Sequence, residues 1–232
     1  MYKCQDLVKK YRAGDEWLFA LDKVSIDMLE GKVNTILGPS GSGKTTLLNM
    51  LSTLDTVDSG LIIFEGKDIA KLSDKQRTKY RRDNIGFIFQ SYNLISTLTV
   101  RENVELGAYL SKNALNIDEI IEQVGLSDHK NKYPHQLSGG QQQRVAIARV
   151  LVKNPKVIFC DEPTGALDEK SGRDVLDLLQ KLNEKYGTTL IMVTHNPNIA
   201  DMSHKVINFN SGKIIKEHLN ENIKSAYEIE WS

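Results

Sequence analysis

The residues with the clearest chemical potential form one glycine-rich run. It fits the pattern G-x-x-x-x-G-K-[ST] at every fixed position. Glycine lets the main chain come close to a polyphosphate and adopt positive φ, so that backbone N–H groups can contact the oxygens. The lysine can reach the β- and γ-phosphates, and the hydroxyl that follows can bind Mg²⁺. The residues of the run are Gly38, Pro39, Ser40, Gly41, Ser42, Gly43, Lys44 and Thr45.

The flanking sequence places this run between a strand and a helix. Residues 33–37 form a short apolar segment before it, and the segment 46–51 favours a helix. Phosphates would then lie at a helix N-terminus, where the dipole favours anions, with Thr46 among the residues around them. A dinucleotide-binding interpretation of the same glycines fails, because G-x-G-x-x-G would need glycine or alanine where Thr46 stands.

Composition limits the function classes. The chain has 232 residues with 30 basic and 30 acidic side chains, and this balance argues against nucleic acid as the main partner. Its two cysteines make no disulfide framework and favour a reducing compartment. We see no apolar leader at the N-terminus and no long apolar run, so work at a membrane would need an anchor in another protein.

The pattern of apolar segments predicts the fold class. Short segments that are apolar throughout predict a mainly parallel sheet with helices on both faces. Residues 2–8 and 18–30 alternate apolar and polar side chains, which predicts an antiparallel β piece at the N-terminus. Residues 93–153 contain no convincing strand and predict an inserted helical subdomain. The apolar segments are 33–37, 85–89, 157–160 and 190–193.

We therefore expect a single domain of the α/β class. A helix after the strand 157–160 is expected to have its N-terminal cap at Ser171 and to end at Gly187. The expected parts are an α/β core from 1–92 and 154–218, the helical subdomain 93–153 and a C-terminal tail 219–232.

Polar side chains follow three of the apolar strands where each strand ends. Gln90 follows the second strand, Asp161 and Glu162 the third, and His195 the fourth. Ligands of parallel sheets bind beyond these carboxyl ends, so we expect one site with the phosphate loop. Asp161 would hold Mg²⁺ through water, and Glu162 would orient or deprotonate an attacking water. His195 would bind the γ-phosphate, and Gln90 would contact Mg²⁺ or the water; the alternatives are solvated strand ends and a structural histidine.

A second glycine motif precedes another helix. Ser138, Gly139, Gly140 and Gln141 come directly before a helix that runs to about Val152. They would also present N–H groups to an anion at a helix N-terminus. The alternative is a helix cap with a flexible turn. Because the first loop already surrounds one side of a nucleotide, the second motif is expected to face a nucleotide held by another subunit.

Together these motifs resemble the ATP-binding cassette ATPases. The resemblance rests on LSGGQ in combination with GPSGSGKT, VIFCDE, Gln90 and His195, and it spans about residues 2–216. The core is then expected to be a P-loop NTPase of the RecA-like kind. The stretches RRDNIGFIFQSYNLISTLTVRENVEL, QLSGGQQQRVAIAR and DEPTGALDEKSG are similar to the cassettes of MacB-, LolD- and BceA-type transporters.

The resemblance implies further roles. Two cassettes would enclose two ATP molecules with Mg²⁺, each phosphate loop facing Ser138–Gln141 of the other copy. Tyr11 would stack on adenine, and Asp168 would belong to the loop that crosses the dimer seam. The helical subdomain would grip a membrane permease with about four spans (MacB/LolD-like) or ten spans (BceB-like). An active, transport-coupled ATPase on the inner face of the cell membrane is implied, for export or release of peptides, antibiotics or lipoproteins.

The sequence departs from the family pattern at a few positions without removing a catalytic group. Thr45 replaces the commoner serine, Asn196 stands where aspartate often follows the histidine, and Val150 and Val152 stand where alanine is usual. The rival functions are a soluble cassette ATPase of repair or translation and a small-molecule kinase. For the tail we expect, in order of preference, a short helix packed on the core, a partner contact or disorder.

Overall fold

Two sheets and seven α-helices make up the structure, which is a computed structural model describing residues 1–231. Ser232, the last residue of the expected tail, lies outside the described residues. The strands are β1 (Tyr2–Ala13), β2 (Glu16–Asp27), β3 (Val33–Leu37), β4 (Ser59–Phe64), β5 (Lys67–Asp68), β6 (Ile85–Phe89), β7 (Val157–Asp161), β8 (Thr189–Thr194), β9 (Lys205–Asn210) and β10 (Lys213–Leu219). The helices are α1 (Lys44–Leu51), α2 (Asp74–Asn84), α3 (Val100–Tyr109), α4 (Ile117–Gln123), α5 (Gly139–Leu151), α6 (Glu169–Tyr186) and α7 (Pro197–Ala200).

The larger sheet is mostly parallel, as the apolar segments predict. Its order is β10-β9-β3-β8-β7-β6, and only the β9–β10 pair is antiparallel. The register brings the carboxyl ends into line, because Leu37 is level with Thr194 and Asp161 is level with both Val193 and Phe89. The residues that follow these four strands must therefore emerge at one edge.

The smaller sheet is antiparallel and has the order β2-β1-β4-β5. The predicted antiparallel piece at the N-terminus is confirmed, but β1 continues to Ala13 instead of residue 8, and β2 begins at Glu16 and ends at Asp27 instead of spanning 18–30. Alternation is hard to see in β1 because irregularities between Cys4 and Lys10 shift the register. These shifts interrupt the two-residue period on which the prediction depends.

The helices α3, α4 and α5 lie between β6 and β7, and residues 93–153 contain no strand, as predicted. Val104, Ile120 and Val145 are buried among them. Their apolar cluster is continuous with one face of the larger sheet, since Ile88 and Cys160 belong to it. The mixed α/β class with an antiparallel piece is therefore confirmed. No helix within residues 1–231 is long and apolar enough to cross a bilayer.

The predicted cap of α6 is wrong. The N-cap is Asp168, whose Oδ1 accepts a hydrogen bond from Ser171 N at 3.0 Å, so Ser171 already lies inside the first turn. Both residue types are good caps, and only the extended backbone of Asp168 decides between them. Gly187, in the left-handed region at φ 63°, ends the helix as predicted.

The tail packs on α6 without forming a helix, which corrects the expected short helix but agrees with the expected packing. Ala226 and Ile229 are buried, and their carbonyls each accept a hydrogen bond from Arg173 at 2.8 Å. Tyr227 Oη donates to Asp174 at 2.7 Å. Trp231 covers Gly172, where a Cβ would lie 2.2 Å from the indole ring.

This contact makes a testable prediction about Gly172. Alanine is favoured over glycine inside a helix by about 1 kcal/mol, yet Gly172→Ala should destabilise the protein by roughly 1–2 kcal/mol because the methyl group clashes with the indole. In a Trp231→Ala background the same substitution should stabilise it by about 1 kcal/mol. Urea unfolding of the unchanged protein, the two single variants and the double variant measures the sign of the change in unfolding free energy. Equal effects of Gly172→Ala in both backgrounds would contradict the contact.

Candidate nucleotide-binding site

A cavity of about 1110 Å³ lies at the carboxyl edge of the larger sheet. It joins the end of β3 to the ends of β6, β7 and β8, as the strand-end argument predicts. Gly38 lies at the entrance to the loop but does not line the cavity. The predicted residues that line it are Tyr11, Pro39, Ser40, Gly41, Ser42, Gly43, Lys44, Thr45, Thr46, Gln90, Asp161, Glu162 and His195.

Two glycines of the phosphate loop are required by close approach. A Cβ at Gly38 would lie 2.0 Å from the carbonyl oxygen of Phe209 in β9. A Cβ at Gly43 would lie 2.2 Å from the carbonyl oxygen of Ala20, and Gly43 also has φ 104°. Side chains at these positions would push the loop away from β2 and β9. The glycine pattern therefore serves the packing of the loop as well as its approach to phosphate.

The loop carries polar groups that suit a bound anion. Lys44 Nζ donates to the carbonyls of Gly38 and Pro39, both at 2.8 Å. Burial lowers the pKa of Lys44, whereas the carboxylates of Glu162 and Asp161 act in the opposite direction. Ser42 Oγ is buried and has no hydrogen-bond partner among residues 1–231. A phosphate would give both groups a charged acceptor, which makes a stronger hydrogen bond than a carbonyl does.

Thr45 and Asp161 meet beside this loop. The pKa of Asp161 is raised, because burial and the neighbouring Glu162 outweigh the opposite effects of Lys44 and the hydroxyl of Thr45. The oxygens of these side chains, with the amide of Gln90, are hard ligands of the type that Mg²⁺ prefers. Within the described chain no three His, Cys, Asp or Glu side chains form a metal cluster.

Glu162 and His195 form a pair across the neighbouring strand ends. His195 Nδ1 donates to Glu162 Oε1 at 2.8 Å. The backbone of Glu162 is in the left-handed region at φ 49° and is fixed because its N–H donates to Val193 O at 3.0 Å. A non-glycine residue in this region is uncommon and often functional. The pair places a carboxylate and an imidazole side by side at the cavity, within reach of a water or a phosphate oxygen bound there.

The second glycine motif lies outside this cavity. Ser138 caps α5, since its Oγ accepts from Gln141 N at 3.3 Å and its N–H donates to Gln141 Oε1 at 2.9 Å. Gly139 and Gly140 then form the first turn. Asp168 is also outside the cavity, at the start of α6, where hydrogen bonds from Ser171 keep the pKa of its carboxyl low. These residues do not reach the nucleotide cavity of their own chain.

Sequence reasoning missed two polar residues of α5, one buried and one partly buried, whose side chains contact the segments that carry site residues. Gln143 is fully buried and donates to Pro163 O, just after Glu162, at 2.7 Å. Arg149 donates to the carbonyls of Tyr92 and Asn93, just after Gln90, at 3.1 and 2.7 Å. Burial lowers the pKa of Arg149. The available signal was a glutamine on the apolar stripe of α5, four residues before Ile147.

Comparisons with known proteins identify the family of the chain. The model of the ABC transporter family matches residues 21–165. The chain is 46% identical over 221 residues to an uncharacterized ABC transporter ATP-binding protein, MJ1508 of Methanocaldococcus jannaschii, covering 93% of this chain and 98% of that one. It is 42% identical over 221 residues to the macrolide export ATP-binding/permease protein MacB of Escherichia coli, covering 93% of this chain but 34% of that protein.

A solved structure is similar over almost the whole chain. It is the dimeric post-hydrolysis state of the ATP-binding cassette MJ0796 bound to ADP and Pi, with a TM-score of 0.85 and 40% identity. The match covers 96% of this chain and 100% of that chain. MJ0796 also comes from M. jannaschii.

Proposed function

This chain belongs to the ABC transporter family as an ATP-binding and ATP-hydrolysing subunit, and from that premise we propose that it drives a membrane permease by closing over ATP together with a second copy of itself. The observation that carries the proposal is the division of the motifs. The phosphate loop, Asp161, Glu162 and His195 share one cavity, whereas Ser138–Gln141 lie outside it.

The residues of the cavity are assigned roles by their chemistry. The loop from Gly38 to Thr46, which includes Lys44, binds the phosphates. Glu162 is the base that orients and deprotonates the attacking water, and His195 binds the γ-phosphate. Thr45, Asp161 and Gln90 would hold Mg²⁺, which would neutralise charge on the β- and γ-phosphates. Because phosphoryl transfer depends on position and charge, these side chains would supply one half of the groups that hydrolysis needs.

The second half of each site is proposed to come from the other copy. In each copy the N-terminus of α5 would lie against the γ-phosphate of the ATP bound by the facing copy, through Ser138, Gly139, Gly140 and Gln141. The turn before Asp168 would line the interface between the two copies. The dimeric cassette of MJ0796 supports this arrangement by analogy. Hydrolysis would then separate the copies and release the permease from its closed state.

The permease is proposed to dock beside Gln90. A groove of about 680 Å³ is lined by the segment Gln90–Leu94 and by Pro134 and His135. A permease helix in this groove would sense the position of the segment after Gln90, whose carbonyls at Tyr92 and Asn93 accept hydrogen bonds from Arg149 of α5. The macrolide export by MacB supports an export function, and we propose export or release of peptides, antibiotics or lipoproteins. The chain would lie on the cytoplasmic face of the membrane, attached through a permease of four or ten spans.

Co-expression with the two permease types tests this proposal. We expect one type to copurify with the chain and to change its ATPase rate in lipid nanodiscs. Substituting His135 by Glu should weaken the complex and leave ATP binding unchanged, whereas Tyr227→Ala, on the tail, should affect neither. The proposed coupling would be contradicted if the chain copurified with neither permease type and its ATPase rate were the same with and without them.

Tyr11 gives a prediction about the base. Its ring is 41% exposed and lines the cavity on β1 beside Leu18 and Phe19 of β2, two residues that the sequence did not single out. Stacking of a base on an aromatic ring is worth about 1–3 kcal/mol, so Tyr11→Ala should weaken ATP binding by about 1–2 kcal/mol. Calorimetric titration measures the change, with Tyr109→Ala, an exposed ring of the helical subdomain, as the control. An unchanged affinity would reject the stacking.

A further inference from the structure

We propose that Asp55 and Lys9 are positioning residues that orient the Tyr11 ring for the base and tie it to the phosphate-loop helix. The inference rests on the proposed stacking of the base on Tyr11. It adds a second layer to the site, because neither Asp55 nor Lys9 lines the cavity.

The hydroxyl of Tyr11 is held from behind by a carboxylate. Tyr11 Oη donates to Asp55 Oδ2 at 3.0 Å. Lys9 Nζ lies 3.0 Å from each carboxylate oxygen and also donates to Thr56 O at 2.8 Å. Lys9 is only 8% exposed, although it lies on a strand at the protein surface. A lysine is rarely buried to this degree without a charged partner, so the pair fixes both residues.

The same lysine covers one face of the ring. Its ammonium lies over the Tyr11 ring, 5.1 Å from the centroid, within the range of a cation–π contact. The ring is 41% exposed and lines the cavity, so a base bound there can contact it. A cation over the ring draws electron density from its π system, which favours contact with an electron-rich purine.

The backbone of Asp55 is bonded to the phosphate-binding helix, and its carboxylate to the next residue of the loop. Asp55 N donates to the carbonyl of Asn49 in α1 at 3.2 Å, and Thr56 N donates to Asp55 Oδ1 at 2.6 Å. Helix α1 begins at Lys44, so the loop after α1 connects the phosphate end of the site to the base end. The phosphate loop and the Tyr11 ring are therefore held at a fixed distance before a purine nucleotide binds to both of them.

The competing explanation is a structural ion pair that only joins β1 to the loop. The two explanations differ in what they predict for a ligand without a base. A structural pair would affect every ligand of the phosphate loop alike, whereas a positioning pair affects only ligands that reach Tyr11.

The test compares magnesium complexes of ATP and of inorganic tripolyphosphate by calorimetry. Tyr11→Ala should weaken ATP about 5- to 30-fold and leave tripolyphosphate unchanged. Asp55→Asn should weaken ATP at least about threefold, leave tripolyphosphate unchanged, and have no further effect in a Tyr11→Ala background. Lys9→Met should behave in the same way. Lys10→Met is the matched control, because Lys10 lies 4.7 Å from the Trp17 ring centroid in a similar contact outside the cavity, and it should change neither affinity.

Each other outcome has one meaning. The positioning role would be overturned, and the stacking left intact, if Asp55→Asn lowered the ATP affinity equally in the unchanged protein and in Tyr11→Ala. A loss of tripolyphosphate affinity in Asp55→Asn would have the same meaning. An ATP affinity that Tyr11→Ala does not change would overturn the stacking, and the positioning role with it. If Asp55→Asn fails to fold in thermal unfolding, the Lys9→Met cycle decides the question.

Discussion

Replacing Glu162 by glutamine is expected to lower ATP turnover at least about 100-fold while ATP still binds. A positioned general base contributes roughly 10²–10⁴-fold to a rate, and an amide cannot accept the proton from water. Glutamine has nearly the same size as glutamate and tolerates the backbone φ of 49° at this position equally well, so the fold should be unaffected. Phosphate release gives the rate, and size-exclusion chromatography with ATP should reveal a dimer that persists because it cannot hydrolyse its nucleotide.

The matched control for this substitution is Glu221→Gln, which removes the same charge from an exposed position after β10. Its turnover should equal that of the unchanged protein. If Glu162→Gln retained more than about a tenth of the activity, far above what loss of a general base allows, the base would have to be another group.

Replacing Ser138 by arginine is the second large effect that we expect. Turnover should fall to background, because the bulky cation would occupy the place where α5 meets the phosphate of the other copy. ATP binding to the isolated monomer should be nearly unchanged, since Ser138 lies outside the cavity of its own chain. Equilibrium binding at low protein concentration, followed by turnover at high concentration, separates the two properties.

Ser138→Ala is the control for the helix cap. It loses the same N-cap hydrogen bond, worth about 1 kcal/mol, but adds no bulk, so it should retain much more activity than Ser138→Arg. A large loss of monomer affinity in Ser138→Arg would mean that the motif serves the nucleotide of its own chain.

The strand ends were predictable because each requires only local information. A continuous apolar run followed by a polar residue indicates a buried strand and its carboxyl end, and parallel pairing then brings Gln90, Glu162 and His195 to one edge. The cap of α6 was not predictable, since Asp168 and Ser171 are equally good caps and the choice depends on the backbone of the preceding loop.

Long-range polar contacts were also beyond the sequence. Lys9 and Asp55 are 46 positions apart, and no pattern links them before β1 and the loop after α1 are placed side by side. Similarly, Arg149 looks like an ordinary charged residue near the end of a helix. Only the fold reveals that it is partly buried and donates to the carbonyls of Tyr92 and Asn93, just after Gln90.

The most direct test of the two-chain site mixes the two inactive variants. In a heterodimer of Glu162→Gln and Ser138→Arg, one site carries both defects and the other carries neither. The account predicts that mixing equal amounts before ATP is added restores about a quarter of the activity, if half of the dimers are mixed and the sites act independently. No recovery at any ratio, although crosslinking detects the heterodimer, would contradict it.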